Sequence, residues 1–258
     1  MFDLKQPWQT GRFAAFDTET TGTDPRTSRI IEFGLVVFEG GEVVERFQTL
    51  IHPGCELPPE ITRITGIKDE DLVGKPLFAD LADELERRLV AQPLLAYNAD
   101  FDRGMVEGEF RRLERTINLP VFIDPFPFCY EAFKVAKKTK TAKLGDIASF
   151  LGVALENAHR ADADAEAAAR VMLALPKHIA LPASFEDLLA VQAEEARRVA
   201  ERFARFRRGK ESDNNTGFGQ KAGTIELGAA YVYGEETDPV KALFSRIPDI
   251  RHAGTAAD

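Results

Sequence analysis

An α/β layer fold with a mixed sheet is predicted for this chain by two patterns. Three strand-like segments come first, and helix-like and strand-like segments then alternate up to Pro176. The first strand candidate, Arg12–Phe16, is a short and mostly apolar run that ends at Asp17. Arg29–Phe38 and Val43–Ile51 follow, both rich in Ile, Val and Phe, with Gly40-Gly41 suited to a tight hairpin turn between them. These three make an antiparallel meander. Pro53–Pro59 reads as a loop. Leu77–Ala91 carries Phe78, Leu81, Leu85 and Leu89 at helical spacing. Pro93–Tyr97 reads as a short buried strand, and a helix holding Met105, Val106, Phe110 and Leu113 follows it. Val121–Asp124 is a candidate fifth strand. Helical patterns then occupy Phe128–Ala136, Leu144–Leu151, where Gly152 is a natural stop, and Ala163–Leu175.

Beyond Pro176 the texture changes. Phe185–Arg208 is one long helical candidate with Leu188, Leu189, Val199, Phe203 and Phe206 at its apolar positions. Its end is basic, setting Arg202, Arg205, Arg207, Arg208 and Lys210 against Glu201. Glu211–Asp258 has little periodicity and only small apolar islands (Ile225–Leu227, Tyr231–Tyr233, Leu243–Phe244), so a flexible tail with candidate docking segments is expected. The regions are therefore 1–176, the main domain; 177–210, a helical extension with a basic end; and 211–258, the tail.

Bulk properties narrow the function classes. A chain of 258 residues with 44% hydrophobic content can build one ordinary domain plus an appendage. Net charge −9 counts against a protein that coats nucleic acid by bulk electrostatics, but carboxylates can attract divalent cations that in turn accept phosphate. No run approaches the ~18 apolar residues of a membrane span. Met1–Thr10 has neither the basic nor the apolar region of a secretory leader. Cys55 and Cys129 lack partners at zinc-ligand spacing. A cytoplasmic protein with reduced thiols and no membrane contact is expected.

Three short segments carry chemistry. In Phe16-Asp17-Thr18-Glu19-Thr20, residues two apart on a strand face one side, so Asp17 and Glu19 present two carboxylates together. Like charges side by side call for a compensating cation, and hard divalent ions take such oxygen ligands. Asp-x-Glu recurs at Asp164-Ala165-Glu166; what distinguishes the first instance is its strand setting and the turn Thr20-Thr21-Gly22 after it. The second segment, Asn98-Ala99-Asp100-Phe101-Asp102, closes a strand and opens a helix, where Asp100 also reads as an N-cap and Asp102 as a first-turn acid. In the third, His159-Arg160-Ala161-Asp162-Ala163-Asp164, Asp162 is a natural cap and Asp164 lies in the first turn. His159 precedes the helix; beside a metal-binding carboxylate it would be a good proton acceptor, since an imidazole titrates near ~6.5.

Together and in this order, the segments resemble the histidine-containing branch of the DEDD exonuclease superfamily, which includes the proofreading epsilon subunit of bacterial replicative polymerase, ribonuclease T and oligoribonuclease. The resemblance covers residues 10–176. It implies an RNase H-like fold, the mixed sheet flanked by helices. It implies that Asp17, Glu19, Asp102 and Asp164 hold two Mg²⁺ or Mn²⁺ ions, with His159 as general base. The implied activity is 3′→5′ hydrolysis releasing nucleoside 5′-monophosphates from a single-stranded or frayed end. Thr18, Thr20, Asn98 and Phe101 become substrate-contact candidates. So do Gly66 and Ile67, in an Ile64–Ile67 stretch like the family's loop against the terminal nucleotide. Two positions depart from the pattern: Tyr97 stands where many members have His, and Asp124-Pro125 where Asp-Thr is common. DNA is the favoured substrate; RNA trimming, or a catalytically weak module tethering partners through its tail, are the alternatives. Epsilon-type subunits bind their polymerase through a C-terminal segment, which makes a DNA polymerase or other replication or repair protein a candidate partner for the tail.

Overall fold

Gly40 and Gly41 both take left-handed φ (64° and 82°), so the chain reverses within two residues. The reversal joins β2 (Ile30–Glu39) to β3 (Glu42–Leu50), and β1 (Phe13–Thr20) pairs antiparallel along the other edge of β2. Two very short strands, β4 (Leu94–Leu95) and β5 (Phe122–Ile123), add in parallel beyond β1, giving the order β3-β2-β1-β4-β5. The expected meander and mixed sheet are thus present. The computed structural model describes residues 2–156 and 158–214; the apolar islands expected in the tail lie outside the described residues.

Helices cover both faces. After β3 come α1 (Pro59–Thr65), α2 (Asp69–Leu72) and α3 (Phe78–Leu89), and α4 (Ala99–Arg112) links β4 to β5. Next are α5 (Pro125–Cys129), a π-helical turn (Tyr130–Val135), α6 (Leu144–Leu151), α7 (Ala161–Ala174) and α8 (Phe185–Asn214). The alternation of β1 separates the layers. Phe13 and Ala15 join a core with residues of α6, α7 and α8, whereas Ala14 and Phe16 join one with α3 and α4. Asp17 and Glu19 continue the first face, and Thr18 the second.

Several boundaries differ from the sequence reading, each for a non-local reason. β1 runs four residues past Phe16 because β2 pairs with Asp17–Thr20 as far as Ile30. α5 starts at Pro125 rather than Phe128: the Asp124 carboxylate accepts the Phe126 amide at 2.9 Å, and Pro125 needs no amide partner. α7 starts at Ala161, two residues early, because Glu32 of β2 accepts the Ala161 amide at 3.2 Å; Asp162 is not the cap. Asp100 is not a cap either. Asn98 precedes α4 in a left-handed conformation, and Asp124 accepts its amide at 2.9 Å and that of Ala99 at 3.1 Å.

α8 continues to Asn214, into the region expected as tail. Its first turns are not an appendage in the packing sense. Phe185 and Leu188 are fully buried in the core that holds Trp8, Phe13 and Met172, and Trp8 Nε1 donates to the Pro182 carbonyl at 2.7 Å. Gln192 occupies the edge of β5, accepting the Asp124 amide at 2.8 Å and donating to the Phe122 carbonyl at 3.0 Å. One side chain thus satisfies both exposed groups of an edge strand. Among the described residues, no helix is long and apolar enough to cross a membrane.

Candidate active site

The three motifs meet at one end of β1. Asp17 and Glu19 come from the strand; Asp102 and Asp164 are each the fourth residue of a helix, α4 on one face of the sheet and α7 on the other. Each helix enters from a left-handed, non-glycine residue of its motif, Asn98 (φ 65°) and His159 (φ 69°). L side chains rarely adopt that conformation, and it persists where the surroundings over-determine it. For Asn98 the constraint is Asp124. For His159 it is Asp164, whose Oδ2 accepts the His159 amide at 3.0 Å.

Asp102 is buried and tied to the strand between the other two acids: its Oδ1 accepts both the amide (2.9 Å) and the hydroxyl (2.7 Å) of Thr18. α7 reaches its place because β2 carries glycine at position 34, opposite Asp17. A Cβ there would lie 2.1 Å from the Asp162 nitrogen, so only glycine lets the helix start sit on the strand. Glu32, paired with Glu19 across the strands, is fully buried and accepts Arg160 Nε at 2.9 Å and Gln48 Nε2 at 2.6 Å as well as the Ala161 amide. It thereby clamps the loop that carries His159.

The electrostatics follow from crowding. Burial first, then the charges of Asp102, Glu19, Asp164 and Glu32, hold the Asp17 carboxyl well above the ordinary carboxylate range. Burial and the neighbouring Asp164, Glu32 and Asp102 push Glu19 up to about 8. Burial raises Asp102 against the lowering effect of the Thr18 donors, and raises Asp164 against the His159 amide. Among the described residues, no Lys or Arg forms an ion pair with any of these four acids. The nearby cations are engaged elsewhere: Arg160 pairs with Glu32, and Arg103 lies over the Phe122 ring at 4.2 Å. Carboxylate oxygens of Glu19 and Asp164 and a ring nitrogen of His159 lie within 4.8 Å of one another. An oxygen-rich cluster with no Lys or Arg ion pair among the described residues fits a hard divalent cation.

A pH dependence follows. A carboxyl whose folded pKa is raised makes the folded chain bind more protons than the unfolded one. Stability without metal is therefore full below about pH 4, the ordinary carboxylate range, and is lost as pH rises towards the Glu19 value of about 8. Melting curves at pH 5 and pH 8 should show a lower Tm at pH 8 in chelator, with the loss reversed by a divalent cation. A higher Tm at pH 8 in chelator would contradict the crowding.

The remaining sequence candidates are more dispersed. The Thr18 hydroxyl is committed to Asp102, and the Thr20 hydroxyl donates to the Gly22 carbonyl at 2.7 Å. Gly66 caps α1 with φ 73°, and Ile67 is buried with Ile31, Leu57 and Leu72 in a small separate core. Phe101 packs half-buried on the α3–α4 core. The sequence reading assigned no role to Glu32, Gly34 or Asp124. A lone acid and a glycine inside the apolar run Ile30–Phe38 were the available signals for the first two.

The fold and the clustered carboxylates agree with a hydrolytic nuclease, and the family match gives that class. Residues 14–172 match the family model described as RNase_T, Exonuclease, and the chain belongs to this exonuclease family. The family is divalent-metal dependent. The chain is 32% identical over 166 residues to the DNA polymerase III subunit epsilon of Treponema pallidum, covering 64% of this chain and 77% of that one. It is 31% identical over 172 residues to the 3′-5′ exonuclease DinG of Staphylococcus aureus (strain MRSA252), covering 66% of this chain but only 19% of DinG. Among solved structures, the zinc-ion-bound form of the E. coli exonuclease I–single-stranded DNA complex superimposes with TM-score 0.58 at 20% identity, over 65% of this chain and 41% of that one. The fold is the RNase H-like exonuclease fold that the motifs implied.

Proposed function

We propose that this protein is a 3′→5′ exonuclease acting on DNA, releasing nucleoside 5′-monophosphates from a single-stranded or frayed end. The observation that carries the reading is the meeting of Asp17, Glu19, Asp102 and Asp164 with no Lys or Arg ion pair among the described residues, and with a His159 ring nitrogen beside two of them. Asp17, Glu19, Asp102 and Asp164 would hold two Mg²⁺ or Mn²⁺ ions, which when bound supply charge stabilisation for the attacked phosphate and the leaving 3′ oxygen. His159 accepts the proton of the attacking water, and its left-handed backbone, held by Asp164, fixes where the imidazole sits. Thr18 fixes the Asp102 carboxylate, and Glu32 fixes the loop before α7. Asn98, Phe101, Gly66 and Ile67 remain the proposed substrate contacts, with Thr20 contributing backbone rather than its hydroxyl, whereas Thr18 gives both amide and hydroxyl to Asp102 and so positions that acid.

DNA and the 3′ polarity are supported by the relatives' names, one a DNA polymerase subunit and one a 3′-5′ exonuclease. The epsilon relative likewise motivates a polymerase or repair partner for the tail, residues 211–258, beyond a domain of residues 1–176 and the helical extension 177–210. A cytoplasmic location agrees with the two free thiols, Cys55 and Cys129. End-labelled single-stranded DNA, duplex DNA and RNA digested side by side test the substrate. Single-stranded DNA should be degraded fastest; RNA degraded faster than either DNA would replace proofreading or repair with RNA trimming.

A further inference from the structure

Five of the twelve lysines of this acidic chain fall within ten residues: Lys134, Lys137, Lys138, Lys140 and Lys143. No acid interrupts them; the next is Asp146. Lys134 lies in the π-helical turn and the other four, Lys137, Lys138, Lys140 and Lys143, are exposed on its connection to α6. Among the described residues, none of the five is ion-paired with a carboxylate. A cluster of unpaired like charges is costly to hold together unless an anion meets it.

The loop is nevertheless firmly shaped. Lys134 Nζ donates to the Lys140 carbonyl at 2.6 Å, and the Thr139 hydroxyl to the Thr141 carbonyl at 2.7 Å. Asp146 accepts both the hydroxyl (2.6 Å) and the amide (3.1 Å) of Thr141. The decisive anchor is Tyr97, whose hydroxyl donates to the Ala142 carbonyl at 2.6 Å. Tyr97 lies in the turn just beyond β4 and immediately precedes Asn98, the residue from which α4 and its Asp102 start. Its ring packs, partly buried, against the core that holds Ala15 and Leu95, on the face of β1 that Asp17 and Glu19 continue. The Tyr97 hydroxyl therefore ties the lysine loop to the segment that opens α4 and carries Asp102.

We infer that Lys137, Lys138, Lys140 and Lys143 form a phosphate-binding track that holds the nucleic-acid strand leading into the carboxylate centre. Such a track meets a need peculiar to this molecule. Its net charge is −9, so a local basic path favours the approach of a polyanion that the rest of the surface charge does not. Lysine suits this role, since phosphate contacts give affinity and register without reading sequence. The inference rests on the nuclease reading and adds to it the route of the strand.

The test compares the intact chain with a combined variant, Lys137→Gln, Lys138→Gln, Lys140→Gln, Lys143→Gln, and with the single reversal Lys140→Glu. Two substrates are used: a single-stranded DNA of about 20 nucleotides, and the p-nitrophenyl ester of thymidine 5′-monophosphate, too short to leave the carboxylate centre. Each phosphate contact on a single strand contributes about −0.7 to the slope of log affinity against log salt. The combined variant should therefore raise KM for the long strand by about tenfold or more and make the salt slope shallower by about 2–3. Lys140→Glu should raise the same KM while melting normally. Unchanged KM and salt slope in both variants overturn the track, and leave the lysines as a solvated surface or a site for an acidic protein. A parallel fall in ester hydrolysis also overturns it, because the lysines would then act through the centre itself. If the intact chain hydrolyses neither substrate, the nuclease reading falls; if it hydrolyses both and the variants match it, only the track falls.

Discussion

Replacing Asp102 with asparagine is expected to reduce hydrolysis by at least about 10³-fold while leaving the fold intact. The asparagine oxygen can still accept the Thr18 amide and hydroxyl, which now hold Asp102 Oδ1 at 2.9 and 2.7 Å, so α4 stays docked on β1. What is lost is a charge that, in the proposed reading, helps the clustered acids to hold a cation. Lewis-acid stabilisation of a phosphoryl transition state is worth several kcal/mol, and each ~1.4 kcal/mol is a factor of ten in rate. The same substitution should raise the metal-free Tm by a few degrees, roughly 2–4 °C per kcal/mol for a domain of this size, because it removes a charge that repels Asp17 and Glu19. Loss of activity together with a gain in stability is the signature of an acid placed for function. A variant with near-normal rate would mean that Asp102 only starts a helix.

His159→Ala should slow single-turnover hydrolysis by about 10²–10⁴-fold, the usual contribution of a positioned acid–base group. The backbone clamp should survive in part, since Asp164 holds the His159 amide rather than its ring, although alanine tolerates the left-handed φ of 69° less well. His159→Asn separates the two effects: asparagine accepts that backbone conformation but cannot serve as the base. Both variants should bind DNA in Ca²⁺ as the parent does. Across pH 5.5–9, the parent's rate should fall towards acid pH as the imidazole protonates, and the variants should lose that part of the profile. A His159→Asn protein that turns over at the parent rate would leave another group to activate the water.

The parts of the site set by local pattern were legible in the sequence, and the parts set by long-range clamps were not. Asp17 and Glu19 follow from strand periodicity alone, and Asp102 and Asp164 could be read as first-turn acids. Their convergence could not be derived that way. It depends on Asp124 capping α4 across 25 residues and Glu32 capping α7 across 129, and a local reading assigned those caps to Asp100 and Asp162 instead. Gly34 is similar, because its reason is a helix that lies far along the chain. The apolar run marks β1 only as far as Phe16; the strand setting read for Asp17 and Glu19 is realised through pairing with β2, which carries β1 to Thr20. Composition suggested an appendage after Pro176. Only packing revealed that Phe185, Leu188 and Gln192 complete the core and the β5 edge. Tyr97 was noted as a departure; its hydroxyl contact with Ala142 gives that departure a physical use.

The most direct measurement labels one single-stranded DNA at its 3′ end and another at its 5′ end, and follows product release with Mg²⁺, with Mn²⁺ and in EDTA. With either metal, the 3′ label should leave at once as a mononucleotide while the 5′ label descends through a ladder of shortened strands, and EDTA should stop both. Release of the 5′ label as the first mononucleotide, or undiminished turnover in EDTA, would contradict a metal-dependent 3′→5′ exonuclease built on Asp17, Glu19, Asp102 and Asp164.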